Sequence, residues 1–512
     1  MNNKVSSGIE HRFFKTTAVS WLSTITSIAM QLIGVPICLI YWGKSNYGAW
    51  LMIFAAFTMM RTIDNGFIAY IGNRTNILFN KNIAEMQQVL SSAIYGILIL
   101  GALQIIILLT LYFTNSMSLI INTNDITTIT TQQIVLALMI MSINWIVVCG
   151  YIGILHRFLI SVGMIYQLMW WMLLLNASQI IFVIIAAYFQ VSIVMAAVLF
   201  SFSQLLVYIP SAVYIKMRLP NYFPWINNPR LDIALVELKG STPMILNLIM
   251  QQIGSGGLVI LVSAIMSITV VPIYSTLRTL TNLGVTVVNI VTAPLLPELM
   301  RFYSREDWKS LLIITQAYFI LIMLIINIPI MLCYPFAFDV FTLWTKHKLS
   351  FDYSLFAFLS ASVVVFSMNG LFNTFLTGIN HRNYLIVSSV VRGLLVFGLS
   401  WIFMQFYGLS VVGLAILISE VLLLIINIQT FFKIELRKFG WVKQRILSWS
   451  NLIGFTAPIV FLFVSGITRK YITFGYLVTF LLLVVSIYYS WQGLDLSIKK
   501  RIINLIFRKN IK

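Results

Sequence analysis

Acidic side chains are scarce in this chain, whose 512 residues include 14 Asp and Glu against 33 Lys and Arg. Charged residues of either sign make up 9% of the sequence, while 60% of the residues are hydrophobic and the mean hydropathy is +0.95. A soluble protein of this length cannot hide so much apolar surface from water. The composition therefore excludes a soluble fold and predicts a polytopic helical membrane protein.

Residues that carry redox, metal or catalytic chemistry are also few. The three cysteines, Cys38, Cys149 and Cys333, lie singly in apolar segments, and the four histidines are equally dispersed. These spacings exclude a disulfide framework and a metal site. The sequence has no Gly-rich phosphate loop and no HExxH motif, and its few acidic residues near the predicted outer face form no catalytic pair. We therefore expect no enzyme and no cofactor.

Long apolar runs account for most of the sequence. Each run is near the ~20 residues that a helix needs to cross the hydrocarbon core of a bilayer. The first run is too long for a signal peptide and no small-x-small site follows it, so we expect no cleavable signal. The pattern predicts an all-α polytopic fold with about 14 transmembrane helices. The expected spans are roughly 17–42, 48–72, 90–113, 132–153, 166–189, 191–215, 242–266, 273–297, 310–334, 353–378, 384–405, 411–432, 449–467 and 472–490.

The positive charges are distributed unevenly between the two sides of these spans. Of the 33 Lys and Arg, five lie in the predicted outer loops and three lie within spans, which leaves 25 on the other side. Lys and Arg accumulate in cytoplasmic loops, so both termini are predicted to be cytoplasmic. The same rule explains the net charge of +19 without a nucleic-acid partner. The two largest outer loops, 114–131 and 335–352, have 18 residues each.

A proline-containing cytoplasmic loop, 216–240, divides the predicted spans into two groups. Six spans on each side of a longer link is the layout of a two-lobed transporter. The predicted parts are an N-lobe at 1–215, the linker at 216–240, a C-lobe at 241–432, and two further spans with a basic tail at 433–512. In that tail, apolar and basic residues alternate over 498–509, which predicts a short amphipathic helix on anionic lipid.

The segment Thr269–Tyr303 combines an apolar surface with one polar stripe and a full charge, Arg278. An Arg at membrane depth costs roughly 2.5–3.5 kcal/mol on insertion scales, so it usually marks a cavity or a pathway. An Arg that snorkels to the outer interface, or one that pairs two helices, is the structural alternative. On a helix, the polar residues of this segment fall within an arc of about 100°. They are Tyr274, Arg278, Thr281, Asn282, Asn289 and Thr292.

Similar polar stripes occur in three other predicted spans. Hydroxyl and amide stripes commonly serve helix–helix packing, but their repetition at corresponding places in both halves favours a shared central cavity. The first span carries Ser20, Thr24, Ser27 and Gln31; the seventh carries Asn247, Gln251 and Ser255; the tenth carries Asn369, Asn373 and Thr377.

Two further pairs of charges lie within spans. Arg61 and Asp64 are three residues apart, so they either neutralise each other on one helix face or line the cavity, with Asp64 moderating Arg61 or taking up a proton. Arg392 and Glu420 lie near mid-membrane on consecutive helices. For this second pair we predict an interhelical salt bridge.

Several short runs resemble one family of transporters. The run Val271-Pro272, Tyr274, Arg278, Ala293-Pro294 and Pro297-Glu298 is similar to the eighth span of polysaccharide flippases of the MATE-like MOP superfamily, and most of all to the Wzx type. Tyr47-Gly48-Ala49-Trp50, followed by Ile63-Asp64-Asn65-Gly66, resembles the second span of that family. The short Leu343-Trp344 element after the ninth predicted span also resembles this family. The resemblance spreads over the first 12 spans, and spans 13 and 14 go beyond the 12 of many members.

The resemblance implies a flippase in the bacterial cytoplasmic (inner) membrane. Its substrate would be an undecaprenyl-pyrophosphate-linked oligosaccharide, such as an O-antigen unit for lipopolysaccharide biosynthesis, moved to the outer leaflet by alternating access. A polysaccharide polymerase and a chain-length regulator would be partners. Arg278 and Arg61 would bind the pyrophosphate, because guanidinium groups recognise phosphate with two parallel hydrogen bonds. Amide and hydroxyl stripes would surround the glycan.

Three alternatives stay open. A MATE-like drug or cation exporter would have an acidic cavity, whereas Arg61, Arg278 and Arg392 outnumber Asp64 and Glu420 here. A lipid II flippase would carry more basic residues in its first span, which has none after position 15. A polysaccharide polymerase or ligase would need larger outer loops than those of this chain.

Overall fold

The computed structural model describes residues 2–79, 81–120, 130–223, 225–379, 387–436, 449–468, 473–492 and 499. Within these ranges the regular secondary structure is entirely helical, and no β-strand occurs. Lipid offers no hydrogen bonds to the backbone, so a spanning segment must satisfy its own N–H and C=O groups, as a helix does. The predicted all-α polytopic fold is confirmed.

The chain forms two compact units, of which the first comprises Met1–Pro272 and Leu343–Leu349. Its central element is α2, a helix of 37 residues that packs against helices from most of the unit. The helices of this unit are α1 Asn2–Tyr41, α2 Gly43–Phe79, α3 Ile83–Thr114, α4 Met117–Ile120, α5 Thr131–Asn144, α6 Gly150–Ser161, α7 Ile165–Tyr188, α8 Ile193–Arg218, α9 Leu231–Gln252 and α10 Leu258–Ile265, with a 3₁₀ turn at Pro220–Tyr222.

The second unit comprises Ile273–Thr342 and Ser350–Lys512. Its central element is α16, which is buried along most of its length and packs against the twelfth and thirteenth predicted spans. The helices that follow the first unit are α11 Val271–Thr292, α12 Leu295–Ser304, α13 Trp308–Ile322, α14 Ile328–Cys333, α15 Ala337–Trp344, α16 Tyr353–Gly378, α17 Val396–Tyr407, α18 Ser410–Leu436, α19 Trp449–Thr468 and α20 Thr473–Gln492, with a 3₁₀ turn at Tyr334–Phe336.

The number of spans agrees with the sequence. In the described ranges, 13 helices are long and apolar enough to cross a membrane. Helices α11 and α12 pass the same test together but are bent by 44° at their junction, which gives 14 spans if they are counted as one. The bend falls at Pro294, where the missing N–H and the ring of proline interrupt a helix. The prediction of about 14 transmembrane helices is confirmed.

In the part of the chain that the structure describes, four single π-helical turns interrupt the spans, at Trp145–Cys149, Ile253–Gly257, Met323–Asn327 and Val391–Leu395. A π turn inserts one residue into a helix and turns the following side chains to a new face, and such turns are frequent at functional sites. The first contains Trp145 and the last contains Arg392, both of which belong to polar clusters described below.

Close helix packing in the first unit depends on two glycines of α2. A Cβ on Gly48 would lie 2.1 Å from the carbonyl oxygen of Ile268, and one on Gly66 would lie 2.7 Å from the Cα of Ile245. No side chain fits at either position without moving backbone. These glycines therefore let α2 contact α9 and the segment after α10 directly, and both belong to the runs that resemble flippases.

Helical structure extends into both ends of the predicted linker 216–240. Helix α8 continues to Arg218 and α9 already begins at Leu231, where it packs against α2 and α3 of the first unit. Helix formation extends beyond the apolar core of each span because polar residues continue a helix in water as well. The lobe boundaries at 215 and 240 stay a prediction. The predicted amphipathic tail helix at 498–509 lies outside the described residues.

Candidate functional site

Arg61 occupies the middle of α2 in the first unit and is held by aromatic rings. Its guanidinium carbon lies 4.5 Å from the ring centroid of Trp145 and 5.9 Å from that of Phe57. A guanidinium group at these distances is attracted by the negative face of the ring. Among the described residues Arg61 has no ion-pair partner, so the local pair with Asp64 is not formed. Asp64, three residues further along the same helix, interacts with Arg61 electrostatically without forming an ion pair.

Asp64 is buried beside it, with 1% of its surface exposed. Its Oδ2 accepts a hydrogen bond from Gln104 Nε2 at 3.0 Å, and its Oδ1 accepts none from the described part of the protein. A buried carboxylate oxygen without a donor is costly. Asp64 is thus a buried acidic group with one carboxylate oxygen that lacks a donor among the described residues.

Buried polar side chains continue from this cluster through the first unit, and sequence reasoning missed them. Asn144 Nδ2 donates to Gln204 Oε1 at 2.9 Å. The Nε2 of His156 and the Oγ of Ser211 are 2.7 Å apart, and the imidazole stacks on Tyr208 with a centroid distance of 5.2 Å. The signal in the sequence was the two single amides, Asn144 and Gln204, within apolar spans, because polar side chains inside a membrane are rare and usually functional.

A second set of missed charges joins three helix ends in the first unit. Arg74 of α2 forms ion pairs with Glu85 of α3 at 3.2 Å and with Glu237 of α9 at 3.4 Å. Glu237 is buried, whereas Arg74 and Glu85 are partly exposed. These contacts fix the predicted cytoplasmic ends of the three helices relative to one another.

In the second unit, Arg392 and Glu420 form a two-bond ion pair between the consecutive spans for which the sequence predicted a bridge. Arg392 Nε donates to Glu420 Oε1 at 2.9 Å, and Nη2 donates to Oε2 at 3.2 Å. Asn369 donates to the same carboxylate at 3.5 Å and accepts a hydrogen bond from Asn427. Asn369 is fully buried within this network, and its predicted cavity-lining role stays a prediction. Asn373, one helical turn later, is half-buried.

Arg278 of α11, also in the second unit, contacts the aromatic side chain one turn before it. Its Nη1 donates to the hydroxyl of Tyr274, and its guanidinium carbon lies 5.6 Å from the ring centroid. Tyr274 is fully buried. This differs from the predicted role of Tyr274 as part of a cavity surface, since the packed ring supports Arg278 instead. Asn282 and Asn289 of the same helix are exposed.

The other predicted cavity residues lie on two helices of the first unit. On α1, Ser27 is half-buried and Gln31 is exposed, and the side chain of Ser20 lies outside the described part. On α9, Gln251 Nε2 donates to Asn247 Oδ1 at 3.3 Å. The structure thus places part of the predicted set in each unit, and a cavity shared by all of them stays a prediction.

No protein-family model and no curated protein matches the sequence. Solved structures do match the fold. A lipid II flippase MurJ in an inward closed conformation has a TM-score of 0.66, with 14% identity over 92% of this chain and 98% of that chain. An inward-facing multidrug resistance MATE family transporter of the MOP superfamily has a TM-score of 0.60, with 15% identity over 83% of this chain and 100% of that chain.

A MATE structure in a bent conformation has a TM-score of 0.52, with 16% identity over 85% of this chain and 97% of that chain. At such identities the likeness concerns the path of the backbone, since one fold can serve several substrates. All three matches extend over more than four fifths of this chain and nearly the whole of the other. The chain has the fold shared by the lipid II flippase MurJ and the MATE transporters of the MOP superfamily.

Proposed function

We propose that this protein is a flippase for undecaprenyl-pyrophosphate-linked oligosaccharide, such as an O-antigen or similar surface polysaccharide repeat unit. It would move this substrate from the inner to the outer leaflet of the bacterial cytoplasmic membrane by alternating access. The observation that carries the proposal is Arg61, a cation inside a span that has aromatic rings around it and no ion-pair partner among the described residues. A membrane-embedded cation of this kind suits an anionic ligand.

The pyrophosphate is the part of the substrate that hydrocarbon excludes most strongly. A guanidinium group offers it planar, permanently charged donors that can bind two oxygens at once. Arg278 is proposed as a second pyrophosphate ligand, with its side chain oriented by the hydroxyl of Tyr274. The exposed amides of Gln31, Gln251 and Asn282 are of the kind that can exchange hydrogen bonds with a glycan.

The acidic groups within the spans argue against a cation exporter. Glu420 is already neutralised by Arg392, and Asp64 is buried against Gln104. Neither carboxylate is exposed to a ligand, whereas Arg61 is partly exposed. Asp64 is proposed to take up a proton during transport, which would make it a coupling group rather than a ligand for a drug.

Reconstituted vesicles test the proposal. Purified protein is placed in liposomes with undecaprenyl-pyrophosphate-linked oligosaccharide, and the glycan that becomes accessible to an impermeant lectin on the opposite side is measured over time. We expect transfer well above that of protein-free vesicles and strong loss of transfer with Arg61→Ala. Arg61→Ala vesicles that flip at the wild-type rate would contradict the role of Arg61, and wild-type vesicles without transfer would contradict the function.

Lipid II flipping is a second candidate function, favoured by the likeness to MurJ over 92% of this chain. Both substrates present a pyrophosphate and a glycan, so the two arginines would serve either. The same vesicles loaded with lipid II in place of the oligosaccharide decide between them. Faster transfer of lipid II would favour this second function. A polymerase, a chain-length regulator and anionic lipid are proposed partners.

A further inference from the structure

A small pocket lies at the predicted cytoplasmic end of the first unit. Its volume is about 210 Å³, and its walls are the first turns of α3 and the loop between α8 and α9. Drug-sized ligands occupy pockets of roughly 300–1,000 Å³. This pocket therefore suits a ligand of about the size of one sugar ring.

The loop wall is fixed to α3 by hydrogen bonds from side chains to backbone. Ser91 Oγ donates to the carbonyl oxygen of Trp225 at 2.7 Å and accepts from the backbone N–H of Asn227 at 3.0 Å. The hydroxyl of Tyr151 donates to the same carbonyl at 3.2 Å, and Ser92 Oγ accepts from the N–H of Arg230 at 3.0 Å. The pocket is thus preformed, so a ligand does not have to pay for ordering the loop.

Four amide side chains line the pocket, and none of them has a hydrogen-bond partner among the described residues. They are Gln87, Gln88, Asn227 and Asn228. Each amide supplies two donors and an acceptor oxygen. Asn228 adopts a left-handed backbone conformation, with φ of 53°, which asparagine tolerates better than most residues. These amides are available to a ligand rich in hydroxyl groups.

Aromatic rings complete the lining. Tyr222 packs edge to face on Phe158, and the rings of Phe223 and Trp225 meet edge to face at 5.5 Å. Among the described residues that line the pocket, none carries a charge. The Nζ of Lys216, which is not a lining residue, lies 4.2 Å from the centroid of the Phe223 ring. A phosphate or a carboxylate would find no lining cation, so the lining favours a neutral ligand.

We propose that this pocket binds one neutral sugar ring of the lipid-linked glycan before transport. Sugar hydroxyls both donate and accept hydrogen bonds, as amides do, and the apolar face of a pyranose can lie on an aromatic ring. The inference rests on the proposed function, in which the lipid and pyrophosphate stay at the membrane and the glycan extends into water. A glycan loaded from the cytoplasmic leaflet would meet this pocket outside the spans, and the pocket would contribute to the choice of glycan.

Ligand-observed NMR with free neutral sugars tests the pocket without transport. Saturation transfer from the wild-type protein in nanodiscs is measured to glucose, galactose, mannose and N-acetylglucosamine, each at about 10 mM, because weak sites have dissociation constants in the millimolar range. We expect transfer to at least one sugar. The double variant Asn227→Ala/Gln87→Ala should weaken binding by about tenfold through two lost hydrogen bonds. Each single variant is measured as well, in case the double variant does not fold.

Asn221→Ala is the matched control, because Asn221 is an exposed amide of the same loop that does not line the pocket. This variant should bind sugar as the wild type does. Absence of transfer to all four sugars, or equal transfer to the wild type and the folded double variant, would overturn the assignment. Flipping without sugar binding refutes the pocket alone, whereas sugar binding without flipping refutes the proposed function alone.

Discussion

Three arginines lie inside spans, and their surroundings differ. Arg392 is paired with Glu420, Arg278 donates to a buried tyrosine, and Arg61 lies over the ring of Trp145. The sequence predicted the Arg392–Glu420 pair because both charges fall near mid-membrane on consecutive helices. The sequence could not predict that Trp145 lies next to Arg61. A helical wheel shows on which face of its own helix a residue lies, but it does not show which other helix packs against that face. A π turn at Trp145 further shifts the register of that neighbour.

Substitutions of Arg278 test its proposed role as a pyrophosphate ligand. Arg278→Ala removes a charge-assisted partner worth about 1.5–3 kcal/mol, so affinity for undecaprenyl pyrophosphate should fall roughly 10- to 150-fold and export should be lost with the protein still inserted. Arg278→Lys should retain part of the activity, and Arg278→Glu should be no better than Ala. The measurements are lipid binding by the purified protein and flipping in vesicles.

A purely structural Arg278 predicts different behaviour. Arg278→Ala would then reduce the amount of inserted protein, and Arg278→Gln, which is neutral and of similar length, would restore it. If Arg278→Ala protein at the native level flips the substrate normally, Arg278 is not a ligand.

The ion pair of the second unit serves as the comparison for a structural arginine. Glu420→Ala leaves Arg392 partly buried without its partner, which for a buried pair costs about 3–5 kcal/mol, so the thermal midpoint should fall clearly. The swapped double variant Arg392→Glu/Glu420→Arg should recover much of that loss. Thermal unfolding of the detergent-solubilised protein measures both. A swap that is as unstable as Glu420→Ala alone would show that the cluster depends on the positions of Arg392 and Glu420 and their hydrogen bonds, and not on opposite charge alone.

The helices themselves could be predicted far better than their contacts. Apolar runs near the length of a bilayer core gave the number of spans, because burying those runs in lipid dominates the free energy of insertion. The ends of α8 and α9 could not be located this way, since their polar turns continue the helix into water. The four π turns were not predicted either, because one inserted residue leaves no mark in the hydropathy. The pocket between α3 and the 219–230 loop depends on long-range hydrogen bonds that local patterns do not contain.

Gly66 gives a test of close packing within the first unit. In Gly66→Ala the added Cβ would lie 2.7 Å from Ile245 Cα, so the backbone of α2 or α9 must shift. Overpacking of this kind costs about 1–3 kcal/mol, and the thermal midpoint should fall. Gly398→Ala is the matched control in α17, where a Cβ meets nothing within 4 Å.

Because alanine favours a helix over glycine by roughly 0.5–1 kcal/mol, Gly398→Ala should leave the midpoint unchanged or raise it slightly. Equal midpoints for Gly66→Ala and the wild type would mean that α2 and α9 are not in direct backbone contact in the native protein.

At the scale of the whole molecule, some contacts join parts of the chain that lie far apart in sequence. Helix α9, which carries the seventh predicted span, packs against α2 and α3 in the first compact unit, and the lobe boundary at 241 stays a prediction. Likewise, Leu343–Leu349 returns to the first unit, where Trp344 Nε1 donates to the carbonyl oxygen of Leu32 at 2.7 Å. Such contacts join residues far apart in the chain, so neither hydropathy nor periodicity contains them. The proposed transport cycle requires the two units to move, and its first requirement is the orientation of the chain.

That orientation is a prediction from charge: both termini and loop 216–240 are cytoplasmic, and loops 114–131 and 335–352 are outside. Lys and Arg bias insertion strongly when they lie in short loops close to the spans, and 25 of the 33 lie on one side under this assignment. Reporter fusions after Gly240 and after Thr131 should therefore report opposite sides, with a fluorescent protein active at the first and alkaline phosphatase active at the second. A fusion after Leu349, in the other outer loop, should report the same side as the fusion after Thr131.

Thr131 follows three predicted spans, Gly240 follows six and Leu349 follows nine. Three spans therefore separate Thr131 from Gly240, so these two fusions must report opposite sides. Equal readings at Thr131 and Gly240 would mean that an even number of spans separates them. The topology would then fail, and with it the placement of the sugar pocket at the loading side.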